Sequence, residues 1–218
     1  MFGTNQKLPI EKNDGNKLKV HSIFETIQGE GPYSGYQAIF IRLSGCNLAC
    51  KFCDTEFDNF VTLSIHRIID KIKKFSKVDP LIVLTGGEPF RQNIAPLCNL
   101  LVQNNFKTQI ETNGTLYFAI NKKIELVCSP KVRHHYTKIR NDILSQTIAI
   151  KFLISAHYTE YSDIAEIGQT KFNIPVYVQP MDEYNQKSNY ENLILTQEIA
   201  KRYDVILSLQ IHKILRIK

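Results

Sequence analysis

A chain of 218 residues with 43% hydrophobic residues and a mean hydropathy of −0.20 has enough apolar material for one packed domain, which excludes a disordered protein. No apolar run is long enough to span a bilayer, and residues 1–16 lack the apolar stretch of a signal peptide, so a cytoplasmic location without membrane attachment is expected. The formal charge of +6 fits a solvated basic surface or attraction to an acidic partner; the basic residues form no long block and carry no nucleic-acid-binding signature.

Along the chain, residues 1–19 read as a loose polar extension of a single domain covering residues 1–218. Strands are expected at residues 38–43, 81–84, 108–111, 125–128, 148–154, 176–179 and 205–209. Between them, residues 64–75 place Ile65, Ile68, Ile69, Ile72 and Phe75 at helical spacing, with lysines on the other face. Residues 94–104 and 189–203 read in the same way, and 160–167 as a shorter helix. The polar stretch 131–146 reads as a loop or lid. Alternating strands and helices imply an α/β fold with a parallel sheet and outer helices. Six or seven strands in this length predict a partial or compact (β/α)6-type barrel, which gathers ligands at the carboxyl ends of its strands.

Five cysteines are present, and three of them, Cys46, Cys50 and Cys53, lie within eight positions, directly after the expected strand 38–43. In a chain without a secretory signal such a cluster points to metal rather than disulfides. Three thiolates from one short loop can hold three irons of a cubane and leave the fourth open. A zinc site of Cys₃His type is the alternative, but no histidine lies near the loop, the next one onward being His66. Cys98 and Cys128 sit singly in apolar surroundings, where a thiol acts as a small hydrophobe. Further on, Thr85-Gly86-Gly87-Glu88-Pro89 follows an expected strand. Paired glycines let a ligand approach the backbone closely, and a glutamate there can balance an ammonium.

The Cys-x3-Cys-x2-Cys spacing with Phe52 before the last cysteine, together with the Gly-Gly-Glu-Pro turn, resembles the radical S-adenosylmethionine enzymes. Further segments resemble one branch of them, the 7-carboxy-7-deazaguanine synthases of queuosine biosynthesis. These are Gln28-Gly29-Glu30-Gly31, Phe40-Ile41-Arg42-Leu43, Cys53-Asp54-Thr55, Glu111-Thr112-Asn113-Gly114, Ser129-Pro130-Lys131, Gln179-Pro180-Met181-Asp182 and Gln210-Ile211-His212-Lys213. The matches run in order from Thr26 to the end of the chain.

The resemblance implies that Cys46, Cys50 and Cys53 hold a [4Fe–4S] cluster, the catalytic centre. It implies an adenosylmethionine site made by Phe52, Cys53, Asp54, Gly87, Glu88, Ser129, Pro130, Lys131, Gln179, Pro180, Met181 and Asp182. Ile27, Gln28, Gly29, Glu30, Arg42, Thr85 and the terminal Lys218 would contact the substrate, and Thr55 would bind Mg²⁺. The implied reaction starts with reductive cleavage of adenosylmethionine and hydrogen abstraction from C6 of 6-carboxy-5,6,7,8-tetrahydropterin. The ring then contracts to 7-carboxy-7-deazaguanine and ammonia leaves. A homodimer and a flavodoxin-type electron donor are implied as partners. Taken singly, Arg42 could be a surface ion pair, Lys131 a solvated charge, Gln28 and Glu30 parts of a turn, and Asp182 a helix cap. Two other functions stay open: a glycyl-radical activase of the same superfamily, and a zinc-stabilised nucleic-acid-binding module.

Overall fold

Apolar runs bounded by turn residues become strands of one mixed sheet in this computed structural model, which describes Gly3 and residues 5–75, 79–132 and 134–217. Its strands are β1 (Lys17–Ile27), β2 (Gln37–Leu43), β3 (Val61–Ser64), β4 (Leu81–Gly86), β5 (Thr108–Thr112), β6 (Glu125–Cys128), β7 (Thr147–Ile154), β8 (Val176–Pro180) and β9 (Ile206–Leu207). Among the described residues their order is β3-β1-β2-β4-β5-β6-β7-β8-β9. From β2 to β9 every pairing is parallel, while β1 runs antiparallel to both β2 and β3. The sheet carries edges at β3 and β9, so the expected barrel is an open one.

Helices α1 (Ile65–Phe75), α2 (Ala95–Gln103), α3 (Asn141–Leu144), α4 (Gln186–Tyr203) and α5 (Ile211–Leu215) complete the fold. Ile65, Ile68, Ile69 and Ile72 bury one stripe of α1 beside Ile39, Ile41 and Ile82 of the sheet, as their spacing predicts. A second apolar cluster joins Ile150, Phe152 and Ile154 of β7 to Val178 of β8 and Ile199 of α4. Asn185 starts α4 by accepting from the Ser188 N–H, and Asp204 ends it in the left-handed region.

Three expectations are corrected. The stretch 1–19 is not a loose extension: Lys17–Val20 pair with β3, and residues 5–16 lie on the cysteine loop and the turn after β4. Strand β1 went unread because a bulge between Val20 and Ser22 shifts its register and breaks the alternation. Residues 160–167 form no helix beyond a single 3₁₀ turn at Thr159–Tyr161. There side chains take the backbone donors, Gln169 accepting from Ile167 N–H and Glu166 from Gly168 N–H. Residues 131–146, read as a loop or lid, contain α3 and pack inward through Ile143 and Leu144, with Tyr136 edge-on to Phe152. No helix of the described residues is long and apolar enough to cross a membrane.

Candidate active site

One cavity of about 490 Å³ opens at the carboxyl ends of the parallel strands, and the loop after β2 brings Cys46, Cys50 and Cys53 onto its wall. All three are free thiols and half-buried. The loop is held by its own turn, Cys53 N–H donating to the Cys50 carbonyl at 3.1 Å. It is also tied to the end of β5, where the Asn47 amide donates to Thr115 Oγ1 at 2.8 Å and accepts from Asn113 Nδ2 at 3.0 Å. Phe52 stands edge-on to Tyr161 with ring centroids 5.0 Å apart, which fixes the turn between Cys50 and Cys53.

These residues fit a cubane. Three sulfurs from one loop face a shared cavity, and the Cys46 sulfur accepts from Leu48 N–H at 3.4 Å, as a cluster-bound thiolate does. Among the described residues no three His, Cys, Asp or Glu side chains gather closely enough for a single metal ion, whereas a cubane places each thiolate on a different iron. Burial pushes the Cys46 thiol up to about 11 and raises Cys50 as well; coordination to a cation is what brings such thiols to the thiolate form.

Across from the cysteines lies the Gly-Gly-Glu-Pro turn. A Cβ on Gly87 would stand 2.2 Å from the Gly45 carbonyl oxygen and 2.8 Å from Cys46 Cβ, so this turn can close on the cysteine loop only with glycine there. Gly87 lines the cavity; Glu88 and Pro130 do not. The Glu88 carboxylate is turned inward, accepting from Thr112 Oγ1 (2.8 Å), Asn113 N–H (2.7 Å) and Phe90 N–H (3.1 Å). Complete burial still lifts its pKa to about 7 against those donors. Beside the turn, Lys131 Nζ donates to the carbonyl and hydroxyl of Ser129, both at 2.7 Å. Burial lowers the Lys131 pKa, with the thiol of Cys50 opposing.

The floor of the cavity is charged. Lys151, in β7 and only 5% exposed, makes a short ion pair with Glu30. Gln210 donates to the other Glu30 oxygen at 2.7 Å. Burial raises the Glu30 pKa, but the Lys151 ammonium overrides it and holds the carboxyl below its ordinary value. Reciprocally, burial depresses Lys151 while Glu30 and Glu111 drive it above the usual ammonium range. Gln28, 1% exposed, donates to Glu111 at 3.0 Å and accepts from Glu30 N–H at 3.2 Å. Burial lowers His212, with Glu30 opposing.

Toward the rim, Lys213 of α5 bridges Asp54 of the cysteine loop (3.0 Å) and Asp182 after β8 (2.7 Å). Arg42 lies beside Thr85 in the β2–β4 register and donates to Thr55 Oγ1 at 3.3 Å. The Thr55 hydroxyl expected to bind Mg²⁺ accepts from Arg42 here, so a cation at that oxygen needs the guanidinium to move away. Burial lowers the Arg42 pKa, opposed by Glu111 and Asp54.

Of the expected site residues, Ile27, Gln28, Gly29, Glu30, Arg42, Thr85, Phe52, Asp54, Thr55, Ser129, Lys131, Gln179, Pro180, Met181 and Asp182 all line this cavity with the three cysteines. Lys218 lies outside the described residues. The sequence reading missed Lys151, whose signal is a lone charge inside the otherwise apolar run of β7. It assigned no role to Glu111, Asn113, Gln210, His212 or Lys213, although their segments were noticed.

Comparison with known proteins agrees with this geometry. Residues 40–131 match the Radical SAM superfamily. The 7-carboxy-7-deazaguanine synthase of Rickettsia prowazekii is 52% identical, over 100% of this chain and 96% of that one. The one from Rhodospirillum rubrum is 33% identical over the full length of both. The crystal structure of QueE from Escherichia coli superposes with a TM-score of 0.69 at 24% identity, covering 89% of this chain and 94% of that one, and so shares the fold. With a relative more than half identical along its whole length and the three thiols on one cavity wall, this chain belongs to the 7-carboxy-7-deazaguanine synthase family of radical S-adenosylmethionine enzymes.

Proposed function

We propose that the cavity carries out the family's ring contraction, turning 6-carboxy-5,6,7,8-tetrahydropterin into 7-carboxy-7-deazaguanine, a 7-deazapurine precursor in queuosine synthesis, with loss of ammonia. The observation that carries this reading is that one cavity joins three cysteines at one end to a buried set of acid, amide and basic side chains at the other. Cys46, Cys50 and Cys53 would hold the [4Fe–4S] cluster, and Phe52, Asp54, Gly87, Ser129, Lys131, Gln179, Met181 and Asp182 would surround adenosylmethionine. The bound cluster and adenosylmethionine together supply the one-electron chemistry that removes a hydrogen atom from the substrate.

The chain's own groups do the recognition. The Arg42 guanidinium matches a carboxylate in a two-point grip, which requires it to leave Thr55. The Glu111 carboxylate and Gln28 amide present an acceptor and a donor side by side, suited to the alternating N–H and C=O groups of a pterin edge. Glu30 is held ionised by Lys151 and offers a fixed acceptor near the same place. Glu88 acts behind the wall: it fastens the Gly86–Gly87 turn to the end of β5, leaving backbone groups to meet the amino acid part of adenosylmethionine. Once Arg42 has left it, the Thr55 hydroxyl would be available to Mg²⁺, with substrate oxygens and water completing the octahedron.

The enzyme would act as a homodimer served by an acidic, flavodoxin-type electron donor. The exposed Ile206 and Leu207 on the β9 edge support the first, and the charge of +6 the second. The test is anaerobic reconstitution with iron and sulfide analysis, then incubation with the tetrahydropterin, adenosylmethionine and dithionite. About four irons and four sulfides per chain with formation of the deazaguanine are expected. A colourless protein holding one zinc, or a loaded cluster that yields no deazaguanine, would overturn the reading.

A further inference from the structure

The N-terminal segment lies across the cysteine loop and ends outside the part of the chain that matches the superfamily, which begins at residue 40. Gly3 N–H donates to the Cys53 carbonyl at 3.1 Å, and Leu8 N–H to the Cys46 carbonyl at 2.8 Å. Lys7 forms a parallel bridge with Cys46. The contact at Gly3 is close: a Cβ there would stand 2.1 Å from the Lys51 carbonyl oxygen. Two of the three expected cluster ligands are therefore held through their backbone by residues more than 35 positions upstream (for Leu8 and Cys46, a separation of about 38).

Asn5 goes further than the backbone. Only 8% exposed, its single amide nitrogen donates to Cys53 Sγ at 3.4 Å and to the Thr55 carbonyl at 2.9 Å. An amide has two N–H groups, so both bonds can be made at once. The pair spans the turn that carries Asp54 and Thr55 into the cavity. A donor aimed at a cluster sulfur stabilises the more negative, reduced state and raises the reduction potential.

We propose that Asn5 is a positioning residue for the cluster: its amide ties the Cys53 sulfur to the Thr55 carbonyl, shaping the 53–55 turn and raising the potential at which the cluster accepts an electron. This rests on the cluster reading above.

The test compares the reconstituted wild type with Asn5→Leu, which keeps the approximate shape and removes both donors. A redox titration followed by electron paramagnetic resonance reads the potential without reference to turnover. Loss of the N–H···S bond is expected to lower the reduced-to-oxidised ratio at a fixed potential by about tenfold, equal to a shift of about 59 mV to more negative values for a one-electron couple. Asn5→Leu loaded with four irons at the wild-type potential would overturn the proposal. Amide hydrogen exchange on the metal-free proteins gives a second readout, expected to quicken in Asn5→Leu over residues 53–57 while α1 and α4 stay unchanged. Should Asn5→Leu fail to keep its cluster, this exchange decides: acceleration confined to that turn supports the role, and an unchanged pattern refutes it. A wild type that binds no iron would instead defeat the cluster reading, and the exchange experiment would still judge the tie itself.

Discussion

Lys151→Met removes the counter-charge from a carboxylate largely withdrawn from solvent. Lys151 is 5% exposed, and the Glu30 side chain only 15%. Breaking one side of such a buried pair costs about 3–5 kcal/mol, because the remaining charge stays desolvated. Gln210 keeps its bond to Glu30 at 2.7 Å, which favours the lower end, about 3 kcal/mol. For 218 residues an unfolding entropy of about 2.1 cal/mol/K each gives about 0.46 kcal/mol per kelvin, so Tm should fall by about 7 °C. Calorimetry or circular dichroism on the metal-free protein measures this.

The pH dependence separates charge from packing. In the wild type the folded pKa of Glu30 lies below its unfolded value. Its contribution is therefore complete above the unfolded pKa and is lost as pH falls through the folded one. In Lys151→Met burial is left largely unopposed and the folded pKa rises above the unfolded value. The variant should then gain on the wild type as pH drops from about 8 to 5, as Glu30 takes up a proton. The double variant Glu30→Gln/Lys151→Met should recover most of the loss at neutral pH. A single variant within about 1 kcal/mol of wild type, or a double variant no better than the single, would refute the reasoning.

Three further outcomes follow from the same geometry. Glu88, with its folded pKa raised to about 7, should make wild-type stability fall between pH 4.5 and 7 by about 3 kcal/mol relative to Glu88→Gln and level off above, as urea titrations at several pH values would show. Cys50→Ser should fold and lose cluster iron on reconstitution, whereas Cys128→Ala, whose thiol burial pushes up to about 12, should still load four irons by colorimetric analysis. Lys213→Met cuts bonds to both Asp54 and Asp182 at a site about one-third exposed, so denaturant unfolding should register a loss of only about 1 kcal/mol that shrinks in high salt.

The parts of this protein that local pattern made legible are those whose physics is local. The isoleucines of α1 repeat at helical spacing because a single stripe meets the sheet, and the β4 run is apolar because Ile82 and Leu84 face the cluster under α1 and α2 while Leu81 and Val83 pack with Ala38, Tyr33 and Phe40. The cysteine loop was legible for a chemical reason, since three thiols in eight positions serve little else. What escaped is held together across long separations. Strand β1 carries a bulge that breaks its alternation, and Asn5 reaches Cys53 across 48 positions. Gln210 reaches Glu30 across 180 and Lys213 reaches Asp54 across 159.

Those contacts share one cause. An open sheet leaves β3 and β9 unjoined, so its parallel strands cannot by themselves enclose a water-free cavity. The turn after β1 fills part of that need: Gly31 N–H bonds Ser208 Oγ at 3.1 Å, and Ile211 N–H bonds the Gly29 carbonyl at 3.1 Å. The segment after β9 supplies the rest, with Gln210 on Glu30 and Lys213 on the two rim aspartates. The turn after β1 and the segment after β9 thus finish a site whose centre the cysteine loop and the Gly-Gly-Glu-Pro turn begin. The polar residues of the segment after β9 are what a charged cavity wall requires, because each buried charge or amide must meet a partner there.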